Sequence, residues 1–138
     1  MKYYNLFLDD ERDPKDVLVY RPEPIYGQVE WIIVRNYEQF VNKVAMQYAA
    51  GFLISIVSLD HDVSREHYIQ GVKSGFTKFD ETAVTIPTGW HCLKWLLKFY
   101  EMNDLALPKI MFHSKNTGGV ENMAALLDEF KNKKYRDA

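Results

Sequence analysis

The sequence predicts an α/β fold in which a doubly wound, mainly parallel four-stranded sheet is flanked by helices. Four short apolar runs are typical of strands, and three amphipathic patterns with helical spacing follow such runs. Strands and helices therefore alternate along the chain, and this alternation favours a parallel sheet with crossover helices. A length of 138 residues suits one hydrophobic core, so we expect a single domain over residues 1–138.

The predicted strands are rich in β-branched residues and show little alternation between apolar and polar positions. This pattern is typical of strands that are buried on both faces, as in a parallel sheet between helices. The four runs lie at residues 4–8, 31–34, 53–59 and 109–113.

The predicted helices are recognised by apolar residues that recur at intervals of three and four. Asn36 and Thr88 are suited to be the N-caps of the first two helices, because their side chains can accept a hydrogen bond from the first turn. The three apolar stripes are Tyr37, Phe40, Val41 and Val44, then Leu93, Leu96, Leu97 and Tyr100, and finally Met123, Leu126, Leu127 and Phe130.

Two segments interrupt the alternation. Residues 9–30 contain Pro14, Pro22 and Pro24, and no helix is predicted there. Residues 62–87 form a long polar insert for which the sequence predicts no regular structure, and its Lys73 and Lys78 could gather an anionic substrate. A loop of this length is either a functional lid or specificity element, or a tolerated surface insertion.

The composition bounds the class of protein. Hydrophobic residues make up 47% and charged residues 26% of the chain, as in soluble globular proteins. The net charge of -2 gives no global basic field, so duplex DNA is not expected as a partner. The single cysteine, Cys92, excludes an internal disulfide, and no run approaches the ~18 apolar residues of a membrane span. Without an apolar N-terminal signal run, a cytoplasmic location is expected.

Acidic residues follow two of the predicted strands. Asp9 and Asp10 follow the first strand, and Asp60, His61 and Asp62 follow the third. Ligands bind outside the carboxyl ends of the strands in open parallel sheets, so these side chains are expected to share one site. Carboxylates crowded together need a cation, for which Mg²⁺ is favoured, and nearby histidines would also admit Mn²⁺, Fe or Zn²⁺.

Further polar residues are predicted at the same edge. His113, Ser114 and Asn116 follow the fourth strand, and Thr88 and Gly89 open a helix whose first N–H groups favour an anion. Each of these features also has a purely structural interpretation, since acidic pairs often cap turns and a lone histidine is usually a satisfied part of the core. Their combination at one edge favours a metal-dependent site that handles phosphate.

Four motifs in this order resemble the cyclic-phosphate processing receiver domains. They are LFLDDERDP at residues 6–14, SLDHD at residues 58–62, the Thr88–Gly89 pair, and HSKNTGGVENM at residues 113–123. The resemblance implies a receiver/flavodoxin-like fold and a metal-dependent phosphoesterase that processes cyclic phosphates. Its substrates would be cyclic nucleotides or RNA ends that carry a cyclic phosphate.

The resemblance also implies roles for individual residues. The metal would be held by Asp9, Asp10 and Asp60. Acid–base chemistry would fall to His61 and His113, with Asp62 orienting a histidine. Substrate-binding positions would be Ser114, Asn116, Thr88, Gly89 and Asn122.

One departure from ordinary receivers bears on the function. The chain shows no fifth strand with the lysine that phosphorelay receivers use, and Lys115 directly follows Ser114 and is not assumed to replace it. This counts against aspartyl-phosphate signalling. Three alternatives to an enzyme stay open: a module that binds a nucleotide or phosphorylated ligand, a switch phosphorylated on Asp60, and an interaction protein whose acidic residues only cap strands.

Overall fold

A computed structural model describes the backbone over residues 2–137 and the side chains over residues 2–133. The strands are β1 (Lys2–Leu8), β2 (Ile32–Val34), β3 (Phe52–Leu59) and β4 (Lys109–Phe112). The helices are α1 (Pro14–Val17), α2 (Ile25–Gln28), α3 (Tyr37–Ala49), α4 (Arg65–Val72), α5 (Gly89–Met102) and α6 (Thr117–Asp137), with a 3-10 helix at Glu81–Ala83.

The four strands form one sheet in the order β2-β1-β3-β4, and every neighbouring pair is parallel. This confirms the predicted α/β fold and all four predicted strands. The chain adds β2 on one side of β1 and then β3 and β4 on the other side. This reversal of direction is what makes the sheet doubly wound.

The two faces of the sheet are covered differently. Leu6 and Leu8 belong to the larger core, which α3, α5 and α6 cover with the apolar stripes predicted from the sequence. Phe7 points to the opposite face and packs with Val17 and Tyr26 from the segment between β1 and β2. Within residues 2–137, no helix is both long and apolar enough to span a membrane.

The two irregular segments contain more structure than the sequence predicted. Residues 9–30 include the four-residue helices α1 and α2, the first of which begins with Pro14 and is capped by Asp13 and Asp16. The 62–87 insert, predicted to lack regular structure, holds α4 and the 3-10 helix. Both predictions of irregular chain were therefore wrong in part.

Buried polar contacts tie α4 to the rest of the insert. His67 is fully buried: its Nδ1 accepts a hydrogen bond from the Val63 N–H (2.9 Å), and its Nε2 lies 2.6 Å from the Ile86 carbonyl oxygen. The Glu66 carboxylate accepts hydrogen bonds from the Thr85 hydroxyl and backbone N–H. The insert is thus a folded part of the molecule, in which the first turn of α4 is hydrogen-bonded to Thr85 and Ile86.

Protonation of His67 should destabilise this arrangement. Burial lowers the pKa of His67, since the hydrogen bond to Ile86 only partly opposes it and the charge of His61 adds to it. The neutral ring therefore contributes stability that is fully present above the ordinary histidine pKa of about 6.5 and is lost as the pH falls below it. Urea unfolding measured from pH 7.5 to 5 should show that the free energy of unfolding falls more steeply for the wild type than for His67→Gln. Parallel pH profiles would contradict this.

Candidate functional site

Strands β1, β3 and β4 end in register, so the next residue of each arrives at the same edge of the sheet. Those residues are Asp9, Asp60 and His113, and their backbone N–H groups extend the hydrogen bonding of the sheet by one step. One ligand atom from each side chain lies within 4.8 Å of the other two, and all three residues are buried. We call them the three-residue cluster.

Asp9 is held firmly within this cluster. Its Oδ1 accepts hydrogen bonds from the backbone N–H groups of Glu11 (3.0 Å) and Arg12 (2.8 Å), and its Oδ2 lies 3.1 Å from Nε2 of His113. Burial acts to raise the pKa of Asp9, but the hydrogen bonds from His113 and the backbone outweigh it and lower the pKa. Asp9 is therefore a carboxylate at neutral pH.

Asp60 lies in a less favourable position for a negative charge. Its side chain is only 5% exposed, and burial, followed by the charge of Asp9, raises its pKa to about 8. Arg12 and the Ser114 hydroxyl oppose this rise in pKa only in part. Two carboxylates in one buried space repel each other, and a bound cation would relieve that repulsion.

A buried hydrogen-bond chain orients His113. The Tyr26 hydroxyl lies 2.8 Å from Oγ of Ser58, which lies 2.7 Å from Nδ1 of His113. The His113 ring stacks on Phe7 with 4.4 Å between ring centroids. Burial lowers the pKa of His113 although Asp9 acts to raise it, so the ring is neutral. A fixed neutral imidazole is the form that ligates metal ions.

His61 sits beneath the site between two carboxylates. Its Nδ1 lies 2.6 Å from Oδ1 of Asp62, and its Nε2 lies 2.8 Å from Oε2 of Glu81. Burial lowers the pKa of the ring, but the hydrogen bonds and charges of these two partners outweigh it and raise the pKa to about 9. His61 is therefore a buried cation whose two nitrogens are both engaged. It cannot accept a further proton in this state, so within acid–base chemistry it could only donate one.

A cavity of about 480 Å³ opens above Asp60 at this edge of the sheet. Its acidic lining residues are Asp10, Glu11, Asp60 and Asp62, and its basic ones are Arg12, Arg65 and Lys115. The remaining wall consists of Ser64, Tyr68, Phe76, Ser114 and Asn116. Cationic groups beside buried carboxylates suit a ligand that carries phosphate and meets a metal ion.

Several predicted site residues reach this cavity. Asp10, Asp62, Ser114 and Asn116 all line it. The Asn116 side chain is already engaged, since its Nδ2 donates to Oδ1 of Asp62 (3.0 Å) and its Oδ1 accepts from the backbone N–H of Gly119 (3.0 Å). Asn116 thus positions Asp62. Asp10 lies outside the three-residue cluster, whose third member is His113.

Three predicted substrate-binding residues contact the protein interior instead of lining the cavity. The Thr88 hydroxyl donates to Glu81 (2.7 Å), and the Gly89 N–H donates to the His61 carbonyl oxygen (2.8 Å). The Asn122 side chain donates to the Glu81 carboxylate (2.6 Å). Their polar groups form hydrogen bonds within the protein that hold the insert and α5 in place. The predicted basic contacts Lys73 and Lys78 are replaced at the cavity by Arg65.

The sequence did not point to Arg12 and Lys115, which present positive charge to the cavity. Arg12 donates to the Tyr20 hydroxyl (2.8 Å), and Nζ of Lys115 lies 4.5 Å from the centroid of the same ring. The Tyr20 hydroxyl in turn donates to the His113 carbonyl oxygen (2.9 Å). Tyr20 therefore fixes two cations at the rim and ties residues 9–30 to the end of β4.

Comparisons with known proteins agree with this architecture. A family model described as the cyclic-phosphate processing receiver domain matches residues 4–129 of the 138. A search of curated proteins and a search of solved structures each returned no match. The family match includes β1 from Tyr4 onward, the other three strands, the three-residue cluster and the insert. The chain belongs to the cyclic-phosphate processing receiver domain family.

Proposed function

We propose that this protein is a metal-dependent phosphohydrolase that opens cyclic phosphodiesters of nucleotides or RNA ends. The observation that carries the proposal is the three-residue cluster of Asp9, Asp60 and His113, buried beside a cavity with a basic rim. A neutral imidazole and two carboxylates supply donors for a divalent ion, and the rim supplies charge for the phosphate. Family membership supports cyclic phosphates as the substrate class.

The donor set fits a divalent metal ion. Asp9 and Asp60 would hold it through carboxylate oxygens. His113 would add Nε2 in the tautomer that carries its proton on Nδ1, facing Ser58, whereas in the metal-free protein the Nε2 proton faces Asp9. When bound, the ion supplies Lewis-acid charge to the phosphoryl group and the attacking water. An imidazole beside two carboxylates is typical of Mn²⁺, Fe or Zn²⁺, whereas Mg²⁺ prefers oxygen ligands. The donor set thus favours Mn²⁺, Fe or Zn²⁺ over Mg²⁺, the metal first expected from the sequence.

The protein's own residues divide the remaining work. Arg12 and Lys115 bind the anionic oxygens of the phosphodiester at the cavity rim. Asp62 accepts a proton from the attacking water. It is placed for this role because its side chain lines the cavity and its Oδ1 is held by His61 and Asn116. The water oxygen bonds to phosphorus and one ring ester bond breaks. The product is a phosphate monoester with a free hydroxyl group, and solvent protonates the leaving oxygen.

This proposal predicts turnover that depends on a divalent metal. Purified protein incubated with Mn²⁺, Zn²⁺, Fe²⁺ or Mg²⁺ should hydrolyse a 2′,3′- or 3′,5′-cyclic nucleotide, or an RNA with a terminal 2′,3′-cyclic phosphate. EDTA should abolish product formation, and re-addition of the metal should restore it. Product is measured by chromatography and phosphorus NMR. Arg12→Ala should raise KM, because it removes a cation that binds substrate.

Three results would each replace the enzyme with another role for the protein. Tight binding of the same ligands in calorimetry without turnover under any metal would identify a binding module. A stable mass increase on Asp60 after treatment with acetyl phosphate would identify a phosphoacceptor. If divalent ions neither support turnover nor shift the melting temperature, the cluster has a structural role only.

A further inference from the structure

One wall of the cavity is aromatic, and the 62–87 insert supplies it. Tyr68 on α4 and Phe76, which follows that helix, both line the cavity, and their ring centroids are 5.4 Å apart with the planes tilted by 51°. Tyr68 is 59% exposed, so its ring offers a large part of its surface to a ligand. The other lining residues are mainly charged or hydroxyl-bearing. The cavity therefore has an aromatic wall beside a charged floor and rim.

The backbone holds Phe76 in this wall at an energetic cost. Its φ of 62° lies in the left-handed region, which a bulky residue rarely adopts. The Phe76 N–H donates to the Gly71 carbonyl oxygen (2.8 Å), and its own carbonyl oxygen accepts from Gly118 (3.0 Å). The ring lies so close to Gly71 that an added Cβ there would be 2.5 Å from it. Phe76 is thus fixed as the support against which Tyr68 rests.

We propose that Tyr68, supported by Phe76, is the platform on which the nucleobase of the substrate stacks. This inference rests on the proposed function and narrows it to cyclic phosphates that carry an aromatic base. A nucleotide combines a flat aromatic ring with an anion, and the cavity combines an aromatic wall with Arg12, Arg65 and Lys115. The cavity of about 480 Å³ is within the range of pockets that bind small molecules.

The arrangement also assigns a purpose to the insert. Asp9, Asp60 and His113 follow strand ends, whereas Arg65, Tyr68 and Phe76 lie on α4 or directly after it. The residues at the strand ends would act on the phosphate, and α4 with the chain after it would distinguish substrates by what is attached to the phosphate. Tyr68 is in this sense a specificity-determining residue, separate from the groups that touch the reacting phosphate.

The test compares two cyclic phosphates that differ only in the base. Adenosine 2′,3′-cyclic phosphate is assayed against methyl riboside 2,3-cyclic phosphate, with wild type, Tyr68→Ala and Tyr68→Phe. For the adenosine compound, Tyr68→Ala should raise KM by about 10-fold or more, as expected for the loss of one base–aromatic stack. It should leave kcat nearly unchanged and leave turnover of the base-free compound unaffected. Tyr68→Phe keeps the ring and should resemble the wild type.

A control variant and a binding measurement separate this inference from the proposed function. Tyr3→Ala removes a similarly exposed tyrosine (61%) from the start of β1. It should leave the KM unchanged for both the adenosine and the base-free compound. Calorimetric binding of adenosine 3′-monophosphate needs no turnover. If nothing is hydrolysed but Tyr68→Ala weakens this binding, the proposed function fails and the platform stands. If the wild type hydrolyses both compounds with equal KM, or if Tyr68→Ala raises both KM values equally, the platform is refuted and the phosphohydrolase stands.

Discussion

Replacement of Asp60 by asparagine should abolish turnover and, at the same time, stabilise the metal-free protein. The variant loses a ligand of the proposed metal, so kcat/KM should fall by about 10²- to 10³-fold or more, the scale for losing a group that stabilises the transition state. In EDTA, the free energy of unfolding should rise by about 1–3 kcal/mol, because asparagine removes an ionisable group whose negative charge is opposed first by burial and then by Asp9. Urea denaturation and steady-state kinetics measure the two effects.

Asp10→Asn is the matched control for this experiment. Asp10 carries the same side chain one residue from Asp9 and lines the cavity, but it lies outside the three-residue cluster. The Asp10→Asn variant should retain most of the increase in melting temperature that a divalent ion causes, whereas Asp60→Asn should lose this increase. If Asp10→Asn loses that increase as completely as Asp60→Asn, then Asp10 holds the metal, as the sequence had predicted.

Among the glycine-to-alanine substitutions at the site, Gly89→Ala should be the most destabilising. A Cβ at Gly89 would overlap the backbone carbonyl oxygen of Asp60 and lie 2.9 Å from its carbonyl carbon. Backbone cannot move aside as a side-chain end can, so α5 must shift away from the end of β3. We expect the free energy of unfolding to fall by about 3 kcal/mol or more, as measured by urea denaturation.

Gly27→Ala is the control for the added methyl group. A Cβ at Gly27 would come within 3.1 Å of Cδ1 of Leu18, an exposed and flexible side chain. The loss of stability there should stay below about 1 kcal/mol. Unchanged stability of Gly89→Ala together with an increased KM would instead indicate that the start of α5 binds the substrate, as the sequence suggested.

Much of the fold followed from periodicity, and the failure to predict α4, the longest of the missed helices, has a clear reason. Helix α4 buries His67 and Gly71, which are not apolar core residues. Its apolar residues are half exposed or more: Tyr68 at 59%, Ile69 at 50% and Val72 at 53%. A search for an apolar stripe therefore finds the wrong face of this helix. The three helices that cover the larger core bury conventional stripes and were confirmed.

The site was predictable where it depends on strand ends and unpredictable where it depends on the insert. Asp9 and Asp60 follow buried strands, so the parallel topology alone brings them together. His113 was predicted at the same edge, but its place beside Asp9 and Asp60 depends on β4 ending in register with β3, which no local motif specifies. Glu81 lies twenty residues beyond its partner His61 within the insert, and no local motif marks it. Its pairing depends on the tertiary fold.

The position of β1 in the middle of the sheet has a consequence for how the chain folds. Before β3 is available, β1 can pair only with β2, over the three residue pairs that join them. An isolated two-stranded pairing is marginal in water, so the first half of the chain has no stable sheet of its own. Lys2 cannot pair until its partner Phe52, which is distant in the sequence, is in place. Closing this long loop of chain costs conformational entropy. Asp9 and Asp60 consequently first meet in the step that completes the centre of the sheet.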